Sequence, residues 1–281
     1  MMFLVDMELT DLVFSTKLGE GRCSNVYKAL NTKTDEYVAV KIINKSIEPS
    51  TIEFEIYSNL KLYHRDIIKC YGWFENNTNV YILYEYAPSG DLFDYLTSSD
   101  KLLSEEQVRH ILKPVIRATM HIHDKKWIHR DIKTENIFLF RGVDAKLGDL
   151  EFAINTNKHL PMARIGTPSH MAPEVLECNE NKIAMLELKG EPGYSYEVDC
   201  WSIGVLTYEC LLKTPPFQGI NIAEIRESVK RYDINFWNIS ENARDFILRC
   251  LEIDPAKRIK VHEMLSHEWF NEKKKCCIRF Y

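Results

Sequence analysis

His129-Arg130-Asp131-Ile132-Lys133-Thr134-Glu135-Asn136 puts a carboxylate, an ammonium and a side-chain amide oxygen within eight residues, and the apolar Ile137-Phe138-Leu139-Phe140 follows at once. A loop so composed, anchored by a buried strand, can accept a hydroxyl proton, neutralise a transferring phosphoryl group and offer an oxygen to a divalent cation. A charged surface turn would have the same composition. The decision therefore falls to what stands before and after the loop.

Upstream, Gly19-Glu20-Gly21-Arg22-Cys23-Ser24-Asn25-Val26 lies between two strand-like segments, 12 to 18 and 25 to 30. Glycines there let backbone N–H groups approach phosphate oxygens. Tyr37-Val38-Ala39-Val40-Lys41-Ile42-Ile43 is an apolar strand holding one lysine, and burying an unpaired ammonium is costly. Its partner should be an acid on the next helix, read over 51 to 62 from Ile52, Ile56 and Leu60, where Glu53 and Glu55 both qualify. Val80-Tyr81-Ile82-Leu83-Tyr84 alternates as a strand, and Glu85-Tyr86-Ala87 reads as an extended link. Asp91 suits a helix N-terminus. Ser104 and Gln107 form a capping box for a helix reaching about Lys125, in which Pro114 predicts a kink. His121 and His123 on that helix have no partners at metal spacing and read as ordinary histidines.

Downstream come Ala145-Lys146-Leu147-Gly148-Asp149-Leu150-Glu151, then Gly166-Thr167-Pro168-Ser169-His170-Met171-Ala172-Pro173-Glu174, then Asp199-Cys200-Trp201-Ser202-Ile203-Gly204 opening an apolar helix, and Asp254-Pro255-Ala256-Lys257-Arg258. In this order, and with the loop at 129–136, these motifs resemble the eukaryotic protein kinases over about residues 12 to 272. Glu53 to Leu60, Tyr71-Gly72-Trp73-Phe74 and Val80 to Pro88 are most similar to the Aurora kinases. The resemblance implies an α+β, bilobal fold: a small antiparallel β-sheet lobe with one regulatory helix (1–86, with an N-terminal extension) and a larger, mainly helical lobe (87–281, with a C-terminal tail).

The resemblance also implies an activity, ATP-dependent phosphorylation of serine or threonine in a protein substrate, and a role for each matched residue. Asp131 takes the hydroxyl proton, and Lys133 stabilises the phosphoryl group in the manner of the serine/threonine class. Lys41, held by Glu53, positions the α and β phosphates, and Asn136 with Asp149 binds Mg2+. Gly19, Gly21, Val26, Ala39, Tyr84, Glu85, Ala87 and Phe138 line the ATP site, with the backbone of Glu85 and Ala87 on the adenine edge and Tyr84 behind it. Thr167 seats near Asp131, Asp199 ties down the backbone of His129 and Arg130, and Glu174 pairs with Arg258. Asp91, Glu135 and Glu209 resemble the acids by which basophilic kinases read arginine before the acceptor.

The chain departs from the pattern at four places. Ser24 replaces the third glycine of the phosphate loop. Lys41 and Glu53 stand closer in sequence than the family spacing. Glu151 replaces the glycine of Asp-Phe-Gly, which removes freedom to take positive φ and adds charge beside the metal site. Ala163 stands where Aurora kinases carry their phosphorylated threonine, and between 149 and 174 hydroxyls remain at Thr156, Thr167 and Ser169 alone. The loop should then be settled without phosphate, packed through Leu160, Met162 and Ile165, or be ordered by an activating protein partner. The competing function is a pseudokinase, a nucleotide-binding scaffold; the retained Lys41, Asp131, Asn136 and Asp149 favour the enzyme.

Composition narrows the setting. A net charge of −5 argues against general attraction to nucleic acid or membranes. The 8 cysteines lack metal-ligand spacing and read as reduced core thiols in a cytoplasmic or nuclear compartment. Met1 to Asp6 lacks the length of a signal peptide or membrane span, and Lys273 to Cys277 lacks a prenylation ending, so no stable membrane anchor is expected. A monomer is expected. The polar stretch 178–195 reads as an insertion loop, with one helical turn at 183 to 188.

Overall fold

Period-two alternation of apolar residues builds the first half of the chain. The computed structural model describes residues 7–21, 24–46, 49–98, 101–178 and 193–271. The readings of an insertion at 178–195 and of a basic tail fall mostly or wholly outside these residues. Strands β1 (Leu12–Glu20), β2 (Ser24–Asn31), β3 (Glu36–Asn44), β4 (Cys70–Glu75) and β5 (Asn79–Glu85) form one antiparallel sheet in the order β1-β2-β3-β5-β4. Helix α1 (Pro49–Lys61) joins β3 to β4. Ile52 and Ile56 of α1 pack with Ile43, Val80 and Ile82 on one side of the sheet, while Leu12, Ala29, Val38, Val40, Phe74, Tyr81 and Leu83 form a second small core.

The chain leaves the sheet at Glu85 and turns into α2 (Leu92–Thr97), whose N-cap Asp91 accepts a bond from Asp94 N at 2.8 Å. Helix α3 (Glu105–Asp124) begins with the expected Ser104/Gln107 capping box and continues through Pro114. Short strands β6 (Trp127–Ile128), β7 (Ile137–Leu139), β8 (Ala145–Leu147) and β9 (Ile154–Asn155) follow; β6 pairs with β9 and β7 with β8. Helices α4 (Pro173–Leu176), α5 (Glu197–Leu212), α6 (Ile222–Arg231), α7 (Glu241–Cys250), α8 (Val261–Met264) and α9 (Glu268–Asn271) complete the described chain.

One large core unites α3, α5 and α7 with β6 to β8, and α5 is buried along nearly its whole length, with Trp201, Ile203, Val205 and Leu206 fully enclosed. Arg258 is also enclosed there, and its guanidinium grips Glu174 through two bonds of 2.7 and 3.0 Å. Such a bidentate pair fixes α4 to the end of the domain, as the sequence implies. The result is the expected α+β architecture in two lobes. No described helix is long and apolar enough to cross a membrane.

Candidate active site

The loop 129–136 is held from below by α5. Asp199, fully buried at the first turn of that helix, accepts the N–H of His129 on Oδ2 and the N–H of Arg130 on Oδ1, each at 2.9 Å. Burial alone would push this carboxyl up, but the His123 ring at 2.8 Å, His129 and the backbone donors hold it below its ordinary value. His123, which reads as an ordinary histidine in the sequence, is therefore the buried partner of the loop's anchor. Its signal, an apolar helix carrying a histidine, does not distinguish this role from any other. Arg130 takes a positive φ of 71°, turning the chain so that Asp131 faces the cleft.

Asp131 is 3% exposed, and its carboxylate is held by groups from Thr167, Asn136 and Lys133. Its Oδ1 accepts from Thr167 N at 2.9 Å and from Thr167 Oγ1 at 2.8 Å. Its Oδ2 lies 3.1 Å from Asn136 Nδ2 and 3.2 Å from Lys133 Nζ. Lys133 Nζ also donates to Thr167 Oγ1 at 2.9 Å. Thr167 can come this close because Gly166, at φ 113°, passes against Arg130; a Cβ there would meet Arg130 O at 2.3 Å. Asn136 spends its amide N–H groups on Asp131, so its Oδ1 is the atom left for a cation. Asp149 supplies a second oxygen donor about a third exposed. An amide oxygen and a carboxylate suit Mg2+, which takes few protein ligands and completes its shell with water and phosphates. No cluster of three or more His, Cys, Asp or Glu with metal-holding geometry occurs among the described residues.

The sheet brings the nucleotide residues into register. Gly19 pairs with Val26, Val26 with Lys41, and Lys41 with Ile82, while Ala39 pairs with Tyr84. Cross-strand partners share a face, so Gly19, Val26, Ala39, Lys41 and Tyr84 all present the same side of the sheet. Gly21 closes the hairpin by donating to Ser24 O at 2.8 Å. At the link between lobes, Ala87 O accepts from Gly90 N, and the Glu85 carboxylate is closed by Lys146 at 2.7 Å. Phe138 sits on β7 opposite Lys146 and bridges to Asp91, beneath that link.

Lys41 corrects two expectations. Its described partner is Glu55, at 2.7 Å; the side chain of Glu53, the expected partner, lies outside the described residues. The face of α1 turned inward carries Ile52, Glu55, Ile56 and Asn59, the i, i+3, i+4, i+7 stripe, and Glu55 falls on it. The pair is closed, and the short connection after β3 has not opened it. Glu55 Oε1 also accepts from the hydroxyl of Tyr84 at 3.1 Å, and Asn59 Nδ2 donates to that hydroxyl at 3.0 Å. The Tyr84 hydroxyl thus braces the ion pair.

The second correction concerns Glu151. Positive φ in this turn belongs to Asp149 (55°) and not to position 151, so replacing glycine there carries no backbone penalty. The Glu151 carboxylate instead reaches Lys41, 3.0 Å from Nζ, with Asp149 at 4.0 Å. Burial pulls the ammonium toward neutrality, but Glu55, Asp149 and Glu151 more than offset it and hold Lys41 charged, above its ordinary value. Burial pushes the Glu55 carboxyl up against the pull of Lys41. One ammonium faces three carboxylates, an excess of negative charge around Lys41. Leu150 is buried, and its carbonyl accepts from Ser58 Oγ at 3.3 Å.

The protein kinase domain family matches residues 12–270. A SNF1-related protein kinase catalytic subunit, alpha KIN12, from Arabidopsis thaliana is 35% identical over 90% of this chain and 50% of its own length. Calcium-dependent protein kinase 5 from Plasmodium berghei (strain Anka) is 36% identical over 90% of this chain and 44% of its own. Aurora kinase C from Mus musculus is 30% identical over 94% of this chain and 93% of its own. The chain thus spans about half the length of the first two of these relatives. With the sheet, the Asp199-held loop and the Lys41–Glu55 pair in place, the match over nearly the whole chain settles the ancestry: it belongs to the protein kinase family, among the serine/threonine kinases.

Proposed function

We propose that this chain is an ATP- and Mg2+-dependent protein serine/threonine kinase, Aurora-like in its small lobe, that selects arginine shortly before the acceptor. The observation that carries the activity is the Asp131 carboxylate, nearly buried yet held by Thr167, Lys133 and Asn136 on bonds of 2.8 to 3.2 Å. A carboxylate so fixed orients a serine or threonine hydroxyl and takes its proton as the new oxygen–phosphorus bond forms and the bond between the β and γ phosphates of ATP breaks, releasing ADP. Lys133 stands beside Asp131 to neutralise the transferred group. Lys41, freed from Glu151, is placed for the nucleotide phosphates; Asn136 and Asp149 would hold Mg2+, which supplies charge neutralisation between those phosphates.

Arginine selection is supported by the gathering of acids beside the loop. Thr134 Oγ1 lies 3.0 Å from Glu135 Oε2 and 3.4 Å from Glu209 Oε2, so one hydroxyl links the two carboxylates. Glu209 is further held by His170 at 3.2 Å. Burial, then Asp94 and Glu135, raise the Asp91 carboxyl above its ordinary value, although one of its oxygens also caps α2. Carboxylates gathered in this way suit a planar guanidinium over an ammonium. Free thiols at 70, 200, 210 and 250 among the described residues support a reducing, cytoplasmic or nuclear setting.

A peptide-array phosphorylation assay tests the selection: arginine two or three residues before the acceptor should be preferred, and Glu135→Ala should flatten the preference. A profile flat at those positions in the native chain leaves the acids structural. The Glu151–Lys41 contact favours a second reading, a nucleotide-binding scaffold in which Lys41 stays captive; binding of MgATP without any transfer would select it.

A further inference from the structure

The segment 149–174 has no hydroxyl free to carry a phosphate toward Arg130. Thr156 Oγ1 is shared with Tyr196 Oη at 2.8 Å and Lys126 O at 3.1 Å; Thr167 is bound to Asp131; Ser169 Oγ lies 3.2 Å from His170 Nδ1. Leu160, expected to pack, is 58% exposed, while Met162 is buried. Something other than a phosphate or a fully apolar seam therefore holds this stretch.

The holding group comes from residues 193 and 194, just before α5. Arg130 Nε donates to Phe152 O at 2.6 Å, and its NH1 donates to Tyr194 Oη at 3.2 Å. The Tyr194 hydroxyl donates in turn to Ala163 O at 2.8 Å, and the Tyr194 N–H donates to Pro161 O at 2.9 Å. The ring itself is buried. At Gly193 a Cβ would stand 2.1 Å from Pro161 O and 3.2 Å from Met162 Cγ, so the backbone of 193–194 lies against 161–163 at a separation that only glycine allows. Two backbone atoms of the loop and one guanidinium thus converge on a single tyrosine.

We propose that the Tyr194 hydroxyl takes the place of a loop phosphate: it joins Arg130 to the backbone of Ala163 and sets 161–167 against Asp131 without covalent modification. The physical equivalence is limited and specific. A phosphate would give Arg130 a charged acceptor; the hydroxyl gives it a neutral one and spends its proton on the loop itself. The link then reaches the reacting groups through Arg130, whose carbonyl Gly166 crosses, and through Thr167, which holds Asp131. Tyr194 is in this account a positioning residue, and its effect on rate rests on the phosphotransfer reading above.

Tyr194→Phe is the direct test, because it keeps the buried ring and removes only the oxygen. Two measurements on the full chain separate the outcomes. Hydrogen exchange at the amides of residues 162–166 should quicken about tenfold, the loss of about one or two hydrogen bonds, while exchange in α5 stays unchanged. The turnover number should fall by about tenfold with KM for ATP changed less than about twofold, as for a group acting on the loop and not on the nucleotide. Unchanged exchange at 162–166, or a wild-type turnover number in the variant, overturns the proposal. So does stoichiometric phosphate on Thr156 of the native protein whose removal by phosphatase loosens 162–166. If the native chain transfers no phosphate, the exchange arm still decides the role of Tyr194, and the failure belongs to the kinase reading.

Discussion

Glu151 stands 3.0 Å from the Lys41 ammonium, proposed above to meet the nucleotide phosphates, on a side chain one-third exposed. Its attraction for Lys41 is thus screened by solvent, and an ion pair of this kind contributes about 0.5–1 kcal/mol. Replacing it by glutamine removes the charge while keeping the size, so Glu151→Gln should lower KM for MgATP about two- to fivefold, the same energy expressed as affinity. It should also reduce the Mg2+ concentration needed for half-maximal rate, since one fewer negative charge awaits the phosphates. Steady-state kinetics over a Mg2+ series checks both; an unchanged KM would show that Glu151 leaves Lys41 at no cost when nucleotide binds. The sequence announces the extra charge at 151 plainly. What it hides is the direction of the side chain, and also that the strained backbone position is Asp149, because φ depends on how the turn is packed and not on residue type alone.

At the scale of elements, α1 is the piece whose position matters most and whose local signal is weakest. Its inward stripe is read two residues too early when Glu53 is matched by resemblance; the packing of Ile52, Glu55, Ile56 and Asn59 against the sheet decides for Glu55. The brace across β5 explains how so short a connection suffices: Tyr84 donates to Glu55, and Asn59, one turn further on, holds the tyrosine. Removing the hydroxyl leaves a buried carboxylate with one donor fewer. Tyr84→Phe should therefore cost about 2 kcal/mol, within the range for hydrogen bonds to charged groups, and lower Tm by about 3–4 °C for a chain of this size. A thermal melt followed by far-UV circular dichroism measures it, and a Tm equal to that of the native chain would show that Glu55 is held by Lys41 alone. Strands β1, β2, β3 and β5 and helix α3 were legible with small shifts at their ends, because caps such as Ser104/Gln107 and the period of apolar residues are local properties. Tyr194 and His123 were not, since each acts on a partner far off in sequence, Arg130 and Asp199 respectively.

For the whole molecule, ordered motifs gave the architecture before any coordinate: loop, strand, buried helix and the Glu174–Arg258 clasp appear where the chain order says they should. The sheet supplies Lys41, the link supplies Glu85 and Ala87, and the helical lobe supplies Asp131, Lys133, Asn136 and Asp149, so neither lobe holds the full set. Buried Asp199 beneath the loop ties the catalytic geometry to the stability of the large core. The central claim is that Asp131 drives phosphoryl transfer from MgATP, and Asp131→Asn tests it at one atom, since the amide keeps the shape and loses the base. With radiolabelled ATP, Mg2+ and an arginine-containing serine peptide, the native chain should transfer phosphate, and the variant should lose about 10²–10⁴-fold in turnover number, the usual worth of a positioned general base, with nucleotide affinity unchanged. Equal transfer by native chain and variant, or none by the native chain while it binds MgATP, would contradict the account.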